Sequence, residues 1–280
     1  MDWILALRHD ALTPVFLAFT SLGDPRFFLV FLSAGYWLGD REAFFRLTVL
    51  LTVSALVNAT LKEMFQAPRP EVLHLVHVDD WSFPSGHAQL AATLWPAVAL
   101  LLRRRWAAVG GTLLVIGIAS SRVYLGVHFP EDVIAGIAIG LLMVSVARRW
   151  LAQQATCWER LPFWTRGPAI VAVALAWLAL TPGRPSGTAL LAGGALIGFG
   201  SGHMIASSHV AYSPPKRTSL RVTALAVGLA GAFGLLWTVA QPLTWLGMPE
   251  DWSDFLQYTA VGLWVSLFAP ALFRRLRLAP

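Results

Sequence analysis

The feature that most restricts this chain is the recurrence of long apolar runs with almost no charge inside them. Nine such stretches follow one another, at about 23–40, 44–64, 87–102, 106–122, 129–148, 166–182, 187–206, 219–240 and 255–273. Most approach the ~20 residues that a helix needs to cross the hydrocarbon of a bilayer. In hydrocarbon every backbone N–H and C=O must find its partner within the protein, which makes each separate run a helix. Composition agrees: 56% of residues are hydrophobic and 13% charged, against roughly 25% charged in a soluble domain. The expectation is an all-α, polytopic transmembrane helical bundle of about nine spans. Residues 1–22, interrupted by Arg8, Asp10 and Pro14, read as a short amphipathic or re-entrant segment ahead of the first span.

The charges indicate which way such a bundle faces. Arg103-Arg104-Arg105, Arg148-Arg149, Lys216-Arg217 and Arg274-Arg275 fall at one set of alternating loops, while most acids fall at the other. Basic residues favour the cytoplasmic side. The loops carrying Lys62, His87, Arg122 and His128 are therefore expected outside the cytoplasm, and the carboxyl terminus inside. The net charge of +6 punctuates the apolar runs and does not cluster on a soluble face, so the expected partner is the bilayer and not nucleic acid. Cys157 is the only cysteine, which excludes an intrachain disulfide and a cysteine zinc site. The start, MDWILALRHDALTP, has early acids and no basic leader region, so no cleavable signal peptide is expected. Residues 149–165 read as a cytoplasmic linker between a five-span part, 23–148, and a four-span extension, 166–280. No feature of the sequence sets an oligomeric state.

Three polar clusters sit where spans begin or end on the outer side. They are Lys62 with Arg69-Pro70, then Pro84-Ser85-Gly86-His87, then Ser121-Arg122 with His128 and Asp132. Cations at membrane depth need an anionic partner or a function. Guanidinium forks match phosphate oxygens, and lysine supplies a point charge. Ser85 and Gly86 fall at the amino end of a span, where unpaired N–H groups and the helix dipole favour an anion. His128 and Asp132 are four apart, which puts them on one helical face. A carboxylate on one imidazole nitrogen fixes the tautomer and presents the other, making His128 a nucleophile candidate. His87 is a candidate proton donor to a leaving oxygen. With three cations available to neutralise the transferring group, neither a metal nor another cofactor is expected.

These residues resemble the signature of the type 2 phosphatidic acid phosphatase superfamily, K-x6-R-P, then P-S-G-H, then S-R-x5-H-x3-D. All 11 specified positions are present here, in order and at the expected spacings. The resemblance covers about residues 44–148. It implies a six-helix phosphatase-type core with additional carboxyl-terminal helices. It further implies that His128 forms a phospho-enzyme, that His87 is the general acid and that catalysis needs no metal. The implied substrates are membrane lipids: phosphatidic acid, phosphatidylglycerophosphate or a polyprenyl diphosphate. The nine-span layout is also similar to glucose-6-phosphatase, which would imply a sugar phosphate. An anion or lipid transporter is the rival from another class; it would not need the His128/Asp132 pair. The soluble vanadate haloperoxidases share this cradle, but the apolar spans argue against them.

Two other polar groups are expected to be bystanders. Ser201-Gly202-His203 repeats the tripeptide Ser-Gly-His without the preceding proline or the K-x6-R-P motif, and reads as close helix packing. His74, His77, Asp79 and Asp80 have the chemistry of zinc ligands but read better as solvated loop groups. Gly136 and Gly140 form G-x-x-x-G, a signal for tight helix packing.

Overall fold

The computed structural model describes residues 8–71, 74–152, 163–180, 185–239 and 247–280. Most of the expected linker, with Cys157, lies outside these residues. All regular structure among the described residues is helical. In chain order the helices are α1 (Thr13–Ser21), α2 (Pro25–Leu38), α3 (Arg41–Phe65), α4 (Gly86–Leu102), α5 (Arg105–Tyr124) and α6 (Pro130–Leu151). They continue as α7 (Phe163–Leu180), α8 (Gly187–His209), α9 (Thr218–Thr238) and α10 (Glu250–Leu263), which runs through a π-helical turn, Trp264–Phe268, into α11 (Ala269–Arg275).

Six helical runs are long and apolar enough to cross a membrane: α3, α5, α6, α8, α9 and the continuous run Trp252–Arg275. A seventh arises if α1 and α2, bent by 51° at a short break, are one span. Gly86–Leu102 and Thr165–Leu180 are shorter apolar helices. Each of the nine apolar stretches thus coincides with a helix, and six or seven cross by length and composition. The shortness of α4 has local causes. Ser85 is extended before it, at φ −67° and ψ 113°, and Arg103 ends it in the left-handed conformation at φ 51°.

The chain divides into two compact units, Met1–Leu29 with Val57–Gln154, and Val30–Leu56 with Ala155–Pro280. In the first, α4 packs against α5 and α6. The approach of α6 is set by the two glycines. A Cβ on Gly136 would lie 2.6 Å from the Ser85 carbonyl oxygen, and one on Gly140 2.5 Å from that of Gln89. Small residues admit such backbone contact in membranes, where dispersion and polar contacts replace the hydrophobic drive. Alanines 88, 91, 92 and 119, with Val115, Ile118 and Val133, fill the core around α4.

The second unit uses the same device. A Cβ on Gly194 or Gly198 of α8 would strike the Phe255 or Thr259 carbonyl oxygen of α10, at 2.3 and 2.1 Å. Gly202 packs likewise, 2.1 Å from Ser266 Oγ by the same construction. His203 does more than the expected packing. Its ring stacks on Phe45, with centroids 3.9 Å apart, its Nδ1 lies 2.9 Å from the Tyr36 hydroxyl, and its Nε2 lies 3.4 Å from Glu42 Oε2. A buried histidine in hydrocarbon needs partners for both nitrogens, and the first turn of α3 and the end of α2 supply them.

Gly140→Ala is expected to destabilise the folded protein by about 1–3 kcal/mol, the usual penalty of overpacking. Gly110→Ala on α5 meets nothing within 4 Å and should be neutral or stabilising, by helix propensity. Thermal unfolding of the two variants in detergent tests the difference.

Candidate active site

The three motif clusters meet within the first unit, at the amino ends of α4 and α6 and the carboxyl ends of α3 and α5. Lys62, in the last turn of α3, is 5% exposed. Its Nζ donates to Asp80 Oδ2 at 2.7 Å and to the Trp81 carbonyl. Arg69 follows in the loop. Its Nε donates to the Asp80 carbonyl at 2.7 Å, its Nη1 to the Val127 carbonyl at 2.5 Å, and its Nη2 to Asp80 Oδ1. The same Nη1 lies 3.3 Å from His128 Nε2. Arg122, in the last turn of α5, is 3% exposed. It donates from Nη1 to Thr20 Oγ1 of α1 at 2.5 Å, while its Nε has no partner.

Ser85 precedes α4 and is fully buried, and its hydroxyl has no partner. Its N–H is committed to the Asp132 carbonyl at 3.0 Å. Gly86 opens α4, where the first N–H groups lack an intrahelical acceptor. A Cβ there would lie 3.1 Å from Asn58 Oδ1. Asn58 in turn donates to the Pro84 carbonyl at 3.2 Å and to Gln89 Oε1 at 2.9 Å, fixing the approach to α4. The His87 ring lies against the turn between α1 and α2, where a Cβ on Gly23 would be 2.6 Å from its Cδ2.

His128 sits between α5 and α6, 2% exposed. Its Nδ1 is 3.5 Å from Asp132 Oδ2 and 3.4 Å from Ser82 Oγ. Asp132 is held in turn. Its Oδ2 accepts from Ser82 Oγ at 2.5 Å and from the Phe129 N–H at 2.9 Å, the latter bond capping α6. The tautomer follows from the partners. A guanidinium only donates, so Nε2 beside Arg69 carries the lone pair and Nδ1 the proton. Burial pushes the His128 pKa down to about 4; Asp132 opposes this, and the cations Arg122, Arg69 and Lys62 add to it. The imidazole is neutral at pH 7, with its basic nitrogen directed at Arg69.

The structure therefore brings Lys62, Arg69, Ser85, Gly86, His87, Arg122, His128 and Asp132 to the ends of neighbouring helices. It also adds residues that the sequence did not single out. Asp80, read as a loop group, occupies Lys62 and Arg69. Burial would raise its pKa, but Lys62 and Arg69 outweigh that and hold the carboxyl below its ordinary value. Ser82 adjoins the Pro-Ser-Gly-His motif, which was the available signal for it. Thr20 carried none, because its part is set by α1 packing on α5. His77 pairs with Asp79 at 2.8 Å in an exposed position, and His74 contacts the Pro70 carbonyl at 2.9 Å.

The PAP2 superfamily model matches residues 43–155, and the model for the PAP2 superfamily phosphatase transmembrane extension matches residues 190–280. Phosphatidylglycerophosphatase B of Bacillus subtilis is 35% identical over 157 residues, covering 51% of this chain and 76% of that protein. The chain belongs to the PAP2 superfamily. An undecaprenyl-diphosphatase of Sulfolobus acidocaldarius is 42% identical over 93 residues, covering 33% of this chain and 44% of that one. Among solved structures, a transmembrane PAP2-type phosphatidylglycerolphosphate phosphatase from Bacillus subtilis matches with TM-score 0.50 and 28% identity. That match covers 54% of this chain and 82% of the other. The chain is thus an integral membrane phosphatase of the PAP2 type, a phosphoric monoester hydrolase or diphosphatase.

The low His128 pKa sets a pH expectation for this PAP2 site. A histidine pushed down stays neutral until the pH falls through its folded value. The acid limb of kcat/KM, which reports the free enzyme, should therefore have its midpoint near pH 4 and well below 6.5. A limb centred near 6.5 would contradict this environment for His128.

Proposed function

We propose that this protein hydrolyses a membrane lipid phosphate or diphosphate through a phosphohistidine, at a site on the extracytoplasmic side. The observation that carries this reading is the incomplete cradle around His128. Three buried or nearly buried cations converge there, while Ser85 Oγ and Arg122 Nε have no partner. Buried donors without acceptors are costly, and a phosphate group supplies acceptors for both.

In this scheme Lys62, Arg69, Arg122, the Ser85 hydroxyl and the Gly86 amide hold the phosphoryl oxygens. His128 Nε2 attacks phosphorus and the N–P bond forms as the P–O bond to the leaving group breaks. His87 gives its proton to the departing oxygen. His87 then takes a proton from water, which attacks phosphorus and releases His128. Asp132 and Ser82 hold the Nδ1 proton throughout and stabilise the positive charge that develops on the ring. Pocket shape favours a lipid over a sugar phosphate. An apolar cavity of about 470 Å³ lies between Phe16 of α1, Ile116, Ala119 and Val123 of α5, and Pro130, Ile134 and Ile137 of α6. It adjoins the helix ends that carry Arg122 and His128, where an acyl or prenyl chain would run. The positive-inside pattern supports the orientation, with the carboxyl terminus in the cytoplasm. Within it, residues 23–148 would carry the catalytic core, 149–165 a cytoplasmic linker, and 166–280 the extension.

The test is phosphate release by the purified protein in detergent with EDTA, from phosphatidic acid, phosphatidylglycerophosphate, undecaprenyl diphosphate and glucose 6-phosphate. A lipid should be hydrolysed, and His128→Ala should lose at least about 10³-fold in kcat. Release only from glucose 6-phosphate, or undiminished release by His128→Ala, would overturn the reading. Alkaline quench during turnover should trap phosphate on the wild-type protein that is stable in base and released on later acidification.

Asp80 gives a second, independent expectation. Its carboxylate competes with the substrate for Lys62 and Arg69, and it is itself 46% exposed. Asp80→Asn should lower KM roughly two- to fivefold, the scale of a partly exposed ion pair, with little change in kcat. An increase in KM would mean that Asp80 positions the cations and does not compete.

A further inference from the structure

The carboxyl ends of α4 and α6, opposite the ends that carry His87 and Asp132, form a second basic site. A cavity of about 260 Å³ lies there, lined by Leu100, Arg103, Arg148, Arg149, Leu151 and Ala152. Three of these six residues are arginines, none is an acid, and all three arginines are exposed. Among the described residues, none of their side chains has a hydrogen bond or an ion pair. The positive-inside rule accounts for arginines on this side of the membrane. It does not account for three of them lining one cavity, where like charges repel.

Backbone geometry adds a second observation. Arg103 ends α4 at φ 51°, a conformation that glycine or asparagine adopts at lower strain. Its side chain lines the cavity. The helix carboxyl ends offset part of the repulsion through their dipoles, but they supply no acceptor to the guanidinium forks. A phosphate does. The walls say which phosphate. Leu100 and Leu102 of α4 are 48% and 46% exposed, and Val146 of α6 is 78% exposed. A cavity rimmed by cations and flanked by exposed apolar side chains matches a molecule with an anionic head and an apolar body, lying at headgroup depth.

We propose that Arg103, Arg148 and Arg149 form a binding site for the phosphate of an anionic phospholipid, distinct from the catalytic cradle and on the opposite membrane face. The ligand would be held, not turned over, because the cavity lining offers no nucleophile or acid. Occupancy would tie the ends of α4 and α6 together at the far end from the reaction.

The experiment reads binding directly and needs no turnover. Protein in a neutral detergent is titrated with phosphatidylglycerol, phosphatidylcholine or inorganic phosphate, and bound lipid is counted by native mass spectrometry alongside the unfolding temperature. Phosphatidylglycerol should bind and raise the unfolding temperature, with phosphatidylcholine ineffective. Arg148→Gln/Arg149→Gln should weaken phosphatidylglycerol binding about tenfold or more, while Arg274→Gln/Arg275→Gln, equal in charge but outside the cavity, should leave it unchanged. Equal weakening in both double variants would reduce the effect to general surface charge and overturn the site. Loss in Arg69→Gln, with the Arg148/Arg149 variant unaffected, would place the lipid at the catalytic cradle instead. If inorganic phosphate alone reproduces the shift, the ligand is soluble phosphate and the lipid assignment fails. A folded Arg148/Arg149 variant is shown by retention of phosphatase activity; if it does not fold, Arg103→Gln repeats the test with a single change.

Discussion

A single backbone hydrogen bond, from the Ser85 N–H to the Asp132 carbonyl, joins the first turns of α4 and α6. It forms because Gly136 carries no Cβ to hold the two backbones apart. Everything chemical in the first unit depends on that approach. It brings the amino end that carries Ser85, Gly86 and His87 beside the amino end preceded by His128. Two helix amino termini side by side concentrate positive potential at that point. The bond also consumes the Ser85 amide, leaving the serine hydroxyl as that residue's free donor. Strain is not needed to hold the site; close packing and one shared carbonyl suffice.

The second constraint is electrostatic. Lys62, Arg69 and Arg122 cannot stand uncompensated at the edge of a bilayer. The protein meets this with Asp80 and a set of backbone carbonyls for Lys62 and Arg69, and with Thr20 for Arg122. Compensation is incomplete: among the described residues the Asp80 carboxylate pairs with Lys62 and Arg69, and Arg122 has no ion pair. Burial above all, with the nearby cations adding to it, keeps His128 neutral.

The second unit meets the same problem with a different outcome. His203, Tyr36, Glu42 and Arg41 contact one another, and Phe45 and Phe199 close over them. Arg46 reaches Glu42 at 3.4 Å. Here both His203 nitrogens have partners, although Arg46 Nε and Nη1 have none, and the glycines of α8 supply the approach. The repeated Ser-Gly-His tripeptide is therefore structural chemistry in a membrane interior.

The sequence by itself determined that this chain is a bundle of membrane helices, because apolar runs of that length have no other way to satisfy their backbones in hydrocarbon. It also determined the motif residues, since three clusters at fixed spacings carry the information in local order. How many helices cross was less legible, because α1–α2 is bent and α4 and α7 are short. Only the tertiary structure decided which donors of the cradle are free and which are spent. It also assigned Asp80 to the cations, Ser82 to the His128–Asp132 pair and Thr20 to Arg122. The reason is physical: each of those pairings joins residues from different segments, up to 102 positions apart. Their geometry comes from how closely the helices pack, which no local pattern encodes.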